Sequence, residues 1–241
     1  MSTAAAKQRL IVALDVESFD EARTLIAALG GSVGWFKIGP VLFMREGPRV
    51  CELVRNSGSR LFLDLKFHDI PNTVQGAVKG ALAMGADMIT LHASGGPTML
   101  SAARAAAEQA GRPEAILVAV TVLTHLSPAE FNATFASTRP VEESVVALAR
   151  VAREGNMSGV VASARELPAI KHALGKDFVV VTPGIRLPDA KLDDQTRVVT
   201  PEQAMRDGAD YLVVGRPIIA AKDPVAACHD VLARMQSAVT R

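Results

Sequence analysis

Leu61-Phe62-Leu63-Asp64-Leu65-Lys66-Phe67-His68-Asp69-Ile70-Pro71-Asn72-Thr73 carries the pattern from which the fold follows. Its first part, Arg60–Lys66, is a nearly continuous apolar run of the kind expected for a parallel strand covered on both faces. The run ends in charges, and Pro71 then opens a helical pattern over Thr73–Met84. The same unit recurs along the chain. Runs at Arg9–Asp15, Gly34–Gly39, Met88–Ala93, Ala115–Thr124, Gly159–Ser163, Phe178–Gly184 and Tyr211–Gly215 bring the predicted strands to eight. Between them lie amphipathic stretches. Ser18 caps one that carries Ala22, Leu25, Ile26 and Leu29 and stops at Gly30. Others are Met99–Ala110, Val141–Arg153, Arg165–Leu174, Pro201–Arg206 and Pro224–Met235. Pro40–Arg55 is also helical in pattern, but Gly47-Pro48 interrupts it.

Eight units in 241 residues leave about 30 residues for each strand and helix. Regular alternation without a linker predicts a single (β/α)8 barrel over residues 9–241, preceded by a flexible, Ala-rich lead at residues 1–8. A doubly wound sheet would show a Gly-rich dinucleotide fingerprint after the first strand, and Asp15-Val16-Glu17-Ser18 is not one.

The 26 Lys and Arg against 25 Asp and Glu give a net charge of +1, which argues against nucleic acid as a partner but not against a small anion. No apolar run approaches the roughly 18 residues of a membrane span. Met1–Arg9 lacks the apolar core of a signal peptide, so a cytoplasmic location is expected. Two cysteines, Cys51 and Cys228, are too few for a disulfide framework and read as packing residues.

In such a barrel the chemistry sits at the carboxyl ends of the strands. Those ends carry Asp15, Lys37, Asp64 with Lys66, His92, Thr124, Ser163, Pro183-Gly184-Ile185-Arg186 and Gly215-Arg216. Asp64 and Lys66, two apart on a strand, share a face. A carboxylate beside Lys66 favours its ammonium form, making it a proton donor and not a Schiff-base nucleophile. Asp15 and Lys37 end the two preceding strands, so four charges of alternating sign are expected side by side. A structural salt bridge is the plain alternative. A buried string of four, however, has little stability to offer, because desolvation offsets the attraction. After the eighth strand, Gly215 allows close backbone approach and Arg216 adds a fork donor, a combination suited to phosphate. Arg186 and Gln195, from the seventh-strand loop, are weaker candidates. The five histidines show no metal-ligand spacing, so no metal is predicted; His92 and His125 fall near adjacent strand ends. Ser94-Gly95-Gly96 reads as a simple loop.

At Asp64-Leu65-Lys66-Phe67-His68-Asp69-Ile70-Pro71-Asn72-Thr73 the chain resembles the orotidine 5'-phosphate decarboxylases. The likeness runs from about Arg9 to Met235. It takes in Leu14-Asp15, Phe36-Lys37-Ile38-Gly39, Val122-Leu123-Thr124, Pro183-Gly184-Ile185-Arg186 with Asp193-Asp194-Gln195, and Val213-Val214-Gly215-Arg216-Pro217-Ile218. The resemblance implies a catalytic set of Lys66, Asp64, Asp69 and Lys37, with Lys66 delivering a proton to C6 of the pyrimidine and Asp64 set against the substrate carboxylate. It implies that Asp15 and Lys37 bind ribose hydroxyls, that Thr124 meets the pyrimidine, and that Arg186, Gln195, Gly215 and Arg216 hold the phosphate and close a loop. It further implies a homodimer, with Asp69 and Thr73 reaching the neighbouring site, and a reaction with neither metal nor cofactor.

Two other readings stay open at this point. Magnesium-dependent enzymes of the same superfamily, 3-keto-gulonate-phosphate decarboxylase and hexulose-phosphate synthase, share the Asp-x-Lys-x-x-Asp core but place a metal-binding acid where this chain has Lys37. A non-catalytic phosphate-binding barrel would have little use for Lys66 between two acids.

Overall fold

A computed structural model describes residues 1–187 and 199–238 of the chain. The strands are β1 (Leu10–Ala13), β2 (Trp35–Ile38), β3 (Arg60–Phe67), β4 (Met88–His92), β5 (Ile116–Val120), β6 (Gly159–Val161), β7 (Val179–Thr182) and β8 (Tyr211–Val214). Each pairs in parallel with the next, and β8 pairs with β1, so the sheet closes in sequence order. This is the expected (β/α)8 barrel. The helices, in chain order, are α1 (Thr3–Lys7), α2 (Phe19–Leu29), α3 (Pro40–Glu46), α4 (Arg49–Asn56), α5 (Pro71–Ala83), α6 (Gly96–Gln109), α7 (Pro128–Phe135), α8 (Val141–Glu154), α9 (Leu167–Leu174), α10 (Pro201–Arg206), α11 (Arg216–Ile219) and α12 (Pro224–Ser237). The break expected at Gly47-Pro48 separates α3 from α4, with Gly47 at φ 61°.

Alternation along the strands sorts the core into two shells. Ile11, Ala13, Trp35, Phe62, Met88, Val118, Val181 and Val213 pack together inside the barrel. Their neighbours, among them Val12, Phe36, Leu63, Ile89, Leu117, Val180 and Leu212, pack against the helices. The inward series therefore continues from Trp35 to Lys37, from Phe62 to Asp64 and from Met88 to Thr90, which is how polar groups reach the mouth of an apolar barrel. Cys51 and Cys228 are buried thiols, and burial pushes both up to about 11, as suits packing residues.

Three local expectations need correction. Residues 1–8, expected as a flexible lead, include a short helix: Ser2 caps α1 and Ala6 is buried. The floor of the barrel supplies the reason. Gly34 N–H donates to Lys7 O at 2.9 Å, and the Trp35 indole N–H donates to Gln8 O at 3.1 Å. Trp35 meets Tyr211 edge-to-face, with ring centroids 5.6 Å apart. The fifth strand ends at Val120, so Thr124 lies in the loop that follows it. In that loop α7 forms on a Ser127–Glu130 capping box; it buries only Phe131, too little apolar periodicity to be read from sequence. Finally, β3 is not a regular strand at its end. Its register against β4 shifts between Leu63 and Phe67, and Lys66 takes φ +54°, a left-handed backbone unusual for a residue with a side chain.

Candidate active site

The four charges read from the first three strand ends meet at the barrel mouth. Lys37 Nζ lies 3.2 Å from Asp15 Oδ1 and 3.3 Å from Asp64 Oδ2, and Lys66 Nζ lies 2.9 Å from Asp64 Oδ1. The chain of contacts is thus Asp15, Lys37, Asp64, Lys66. Asp64 and Lys37 are buried, Lys66 is partly exposed and Asp15 is exposed. Burial alone would raise the Asp64 carboxyl, but Lys37, Lys66 and a hydrogen bond from Thr90 outweigh it and hold the group below the usual carboxylate range. Burial would likewise lower Lys37, and the charges of Asp64 and Asp15 outweigh it, holding the ammonium above the usual lysine range. Lys37 and Asp64 are therefore a fixed charge pair, with Lys66 the cation that faces the open cavity.

Two glycines make room for this group. A Cβ on Gly39 would lie 3.3 Å from Lys37 Nζ and 3.5 Å from Asp15 Oδ1; one on Gly215 would lie 3.3 Å from Asp15 Oδ2. Gly215 thus brings the backbone after β8 against the Asp15 carboxylate.

The cavity above the barrel has a volume of about 240 Å³. Besides Asp15, Lys37, Asp64 and Lys66 it is lined by Thr124, Arg186, Gly215 and Arg216, with Val122 and Leu123 on the β5 side. Arg186 follows β7 and Arg216 opens α11, so both cations face the Asp64–Lys66 strand end across the barrel. Arg186 is half-buried and Arg216 is exposed. Gln195 lies outside the described residues.

Asp69 and Thr73 are not brought to this cavity. Asp69 is exposed, and its carboxylate accepts the N–H of the next residue, Ile70, at 2.6 Å, just before α5. Thr73 is exposed in the first turn of α5. Of the histidines near the strand ends, His92 packs on His68, ring centroids 5.3 Å apart. Among the described residues no group of three or more His, Cys, Asp or Glu is placed to hold a metal ion.

One polar residue in the network escaped the reading of strand ends. Thr90 is 1% exposed; its hydroxyl donates to Asp64 Oδ1 at 2.9 Å and accepts the Lys66 N–H at 2.9 Å. The available signal was a lone hydroxyl inside the apolar run Met88–Ala93, two residues before the end that was singled out.

Comparison with known proteins bears on the whole chain. Residues 8–231 match the family described as orotidine 5'-phosphate decarboxylase / HUMPS. A protein of Moorella thermoacetica named orotidine 5'-phosphate decarboxylase is 46% identical over 235 residues, covering 96% of this chain and 93% of its own. One of the same name from Pelobacter propionicus is 48% identical over 223 residues, covering 92% of each chain. The crystal structure of orotidine 5'-phosphate decarboxylase from Lactobacillus acidophilus superimposes with a TM-score of 0.82 at 34% identity, covering 94% of this chain and 98% of that one. Barrel, charged strand ends and comparisons agree, and the chain belongs to the orotidine 5'-phosphate decarboxylase / HUMPS family.

Proposed function

We propose that the protein converts orotidine 5'-phosphate to UMP and CO2, the last step of de novo pyrimidine synthesis, with neither metal nor cofactor. The observation that carries this reading is Lys66 Nζ, held 2.9 Å from Asp64 in a cavity that also contains Arg186 and Arg216. An ammonium at one wall and two guanidinium groups at the other suit a substrate with an anionic reacting centre and a phosphate at its far end. In this reading Asp64 stands against the substrate carboxylate. The bond between C6 and the carboxylate breaks, its electron pair stays on C6, CO2 leaves, and a Lys66 proton is transferred to C6. Solvent then reprotonates Lys66.

The pyrimidine ring delocalises that electron pair poorly. The barrier reduction, typically about 8–23 kcal/mol, must come from placed charges and from substrate binding. Asp15 and Lys37 bind the ribose hydroxyls, and Lys37 also braces Asp64. Thr124 contacts the pyrimidine. Arg186, Gln195, Gly215 and Arg216 take the phosphate, whose binding energy draws the seventh-strand loop closed.

Lys37 separates this reading from the magnesium-dependent one. Its ammonium lies between Asp15 and Asp64, at 3.2 and 3.3 Å, where a divalent cation would meet a like charge. The enzyme acts as a homodimer in which Asp69 and Thr73 complete the neighbouring site. Both are exposed on the rim, and Ile70 beside them is 67% exposed, as a surface covered by a second copy would be. The net charge of +1 offers no support for a nucleic-acid partner. Among the described residues no helix is long and apolar enough to cross a membrane. Buried thiols at Cys51 and Cys228 suit the reducing cytoplasm.

Purified protein mixed with orotidine 5'-phosphate tests the proposal. Loss of orotate absorbance is expected with and without EDTA. Absence of turnover in both conditions refutes the activity; turnover abolished by EDTA and restored by magnesium refutes the metal-free route.

A further inference from the structure

We infer that Thr90 is a positioning residue for the reaction, because its one hydroxyl ties the Lys66 backbone to the Asp64 carboxylate across an irregular strand end. The inference rests on the function proposed above.

The irregularity comes first. Pairing of β3 with β4 is regular at Phe62↔Met88 and Leu63↔Ile89, then shifts before Phe67↔Leu91. The slip leaves Asp64, Leu65 and Lys66 outside the regular ladder, and the Lys66 N–H donates to a side chain in place of a strand carbonyl. Thr90 Oγ1 accepts it at 2.9 Å. Lys66 meanwhile adopts φ +54°, a conformation a lysine does not hold without local support.

The hydroxyl proton is engaged elsewhere. Thr90 Oγ1 donates it to Asp64 Oδ1 at 2.9 Å, the same oxygen that Lys66 Nζ contacts at 2.9 Å. The other carboxylate oxygen, Oδ2, faces Lys37 at 3.3 Å. Thr90 thus fixes two things at once: which way the Asp64 carboxylate lies, and where the Lys66 backbone turns so that its ammonium meets that carboxylate. Met88, two residues earlier, is an ordinary apolar member of the barrel interior. Thr90 takes the next inward position and is 1% exposed. A buried hydroxyl there would be a liability unless both its donor and its acceptor were used. Both are, and both partners belong to the reacting pair.

Thr90→Val keeps the shape and removes the hydroxyl; Thr90→Ser keeps the hydroxyl. In Thr90→Val, kcat should fall about 10- to 100-fold, the worth of a hydrogen bond to a charged group, with KM within about threefold of the parent. Thr90→Ser should keep kcat within about threefold, because the bridge survives. Thermal unfolding with and without UMP accompanies the kinetics, so that loss of fold is told from loss of geometry. Turnover by the parent protein with an unchanged kcat in Thr90→Val overturns this inference alone. So does a Thr90→Ser defect equal to that of Thr90→Val, a loss confined to KM, or a kcat loss matched by loss of the UMP-stabilised fold. No turnover by the parent protein overturns the proposed function, and this inference with it.

Discussion

The Lys37 ammonium stands 3.3 Å from Asp64 Oδ2, with 10% and 11% of the two side chains exposed. Removing Lys37 takes one of two cations from the buried Asp64 carboxylate and leaves it with Lys66 and the Thr90 hydroxyl. Lys37→Met should therefore cost about 3 kcal/mol in urea unfolding, whereas Lys37→Met with Asp64→Asn, whose amide oxygen still accepts from Thr90, should regain part of that loss and remain inactive. The pH window follows from the two shifts. Asp64 is lowered and Lys37 is raised. The pair's contribution is thus fully present between about pH 4 and pH 10. It is lost as pH falls through the folded Asp64 value or rises through the folded Lys37 value. A double variant as unstable as the single one would show that the pair is not the source of the loss.

Lys66 and Asp69 provide a test of the assembly. Lys66→Ala should abolish turnover while UMP still raises Tm, since most of the cavity lining is untouched. Asp69→Ala should also be severely impaired. Mixed and allowed to exchange subunits, the two inactive variants should recover about a quarter of parental activity, because half of the molecules are hybrids with one intact site in two. Recovery absent despite proven exchange would place Asp69 in its own subunit's site or outside the reaction.

Arg216 lines the cavity after β8 and is exposed toward it. Loss of a charge-assisted contact to phosphate should raise KM for orotidine 5'-phosphate by about 10- to 100-fold in Arg216→Ala. The same variant should differ little from the parent with orotidine, which lacks the phosphate. An equal loss with both substrates would assign Arg216 to something other than phosphate.

His92 yields a pH prediction for stability. Burial, then the charges of His68 and Lys66, hold its imidazole below the usual histidine value, against the opposing pull of Asp64. The unfolded chain carries an ordinary histidine near 6.5, so it takes up the proton first as pH falls below about 6.5, and stability declines until the lower folded value is passed. Urea midpoints measured from about pH 8 down to pH 5 should fall in the parent and fall less in His92→Asn. Parallel slopes would remove His92 as the cause.

The linear order of residues carried much of this protein. Apolar runs separated by about 30 residues are a local pattern, and eight of them leave little choice but a closed parallel barrel. Asp64 and Lys66 were legible as a pair because two-residue spacing sets a common face on any strand. Lys37 and Asp15 joined them because consecutive parallel strands are neighbours in this fold. What closure alone decided is non-local. Thr90 bonds Asp64 across 26 residues and the Lys66 backbone across 24, and nothing within β4 announces either bond. The left-handed turn at Lys66 depends on the slipped register of β3 against β4, a property of the pair and of neither strand. The ordering of α1 needed a floor to pack on, built from Gly34 and Trp35 far along the chain. Periodicity reports which face a residue takes; only the packed barrel determines which hydroxyl, backbone N–H or carboxylate it then meets.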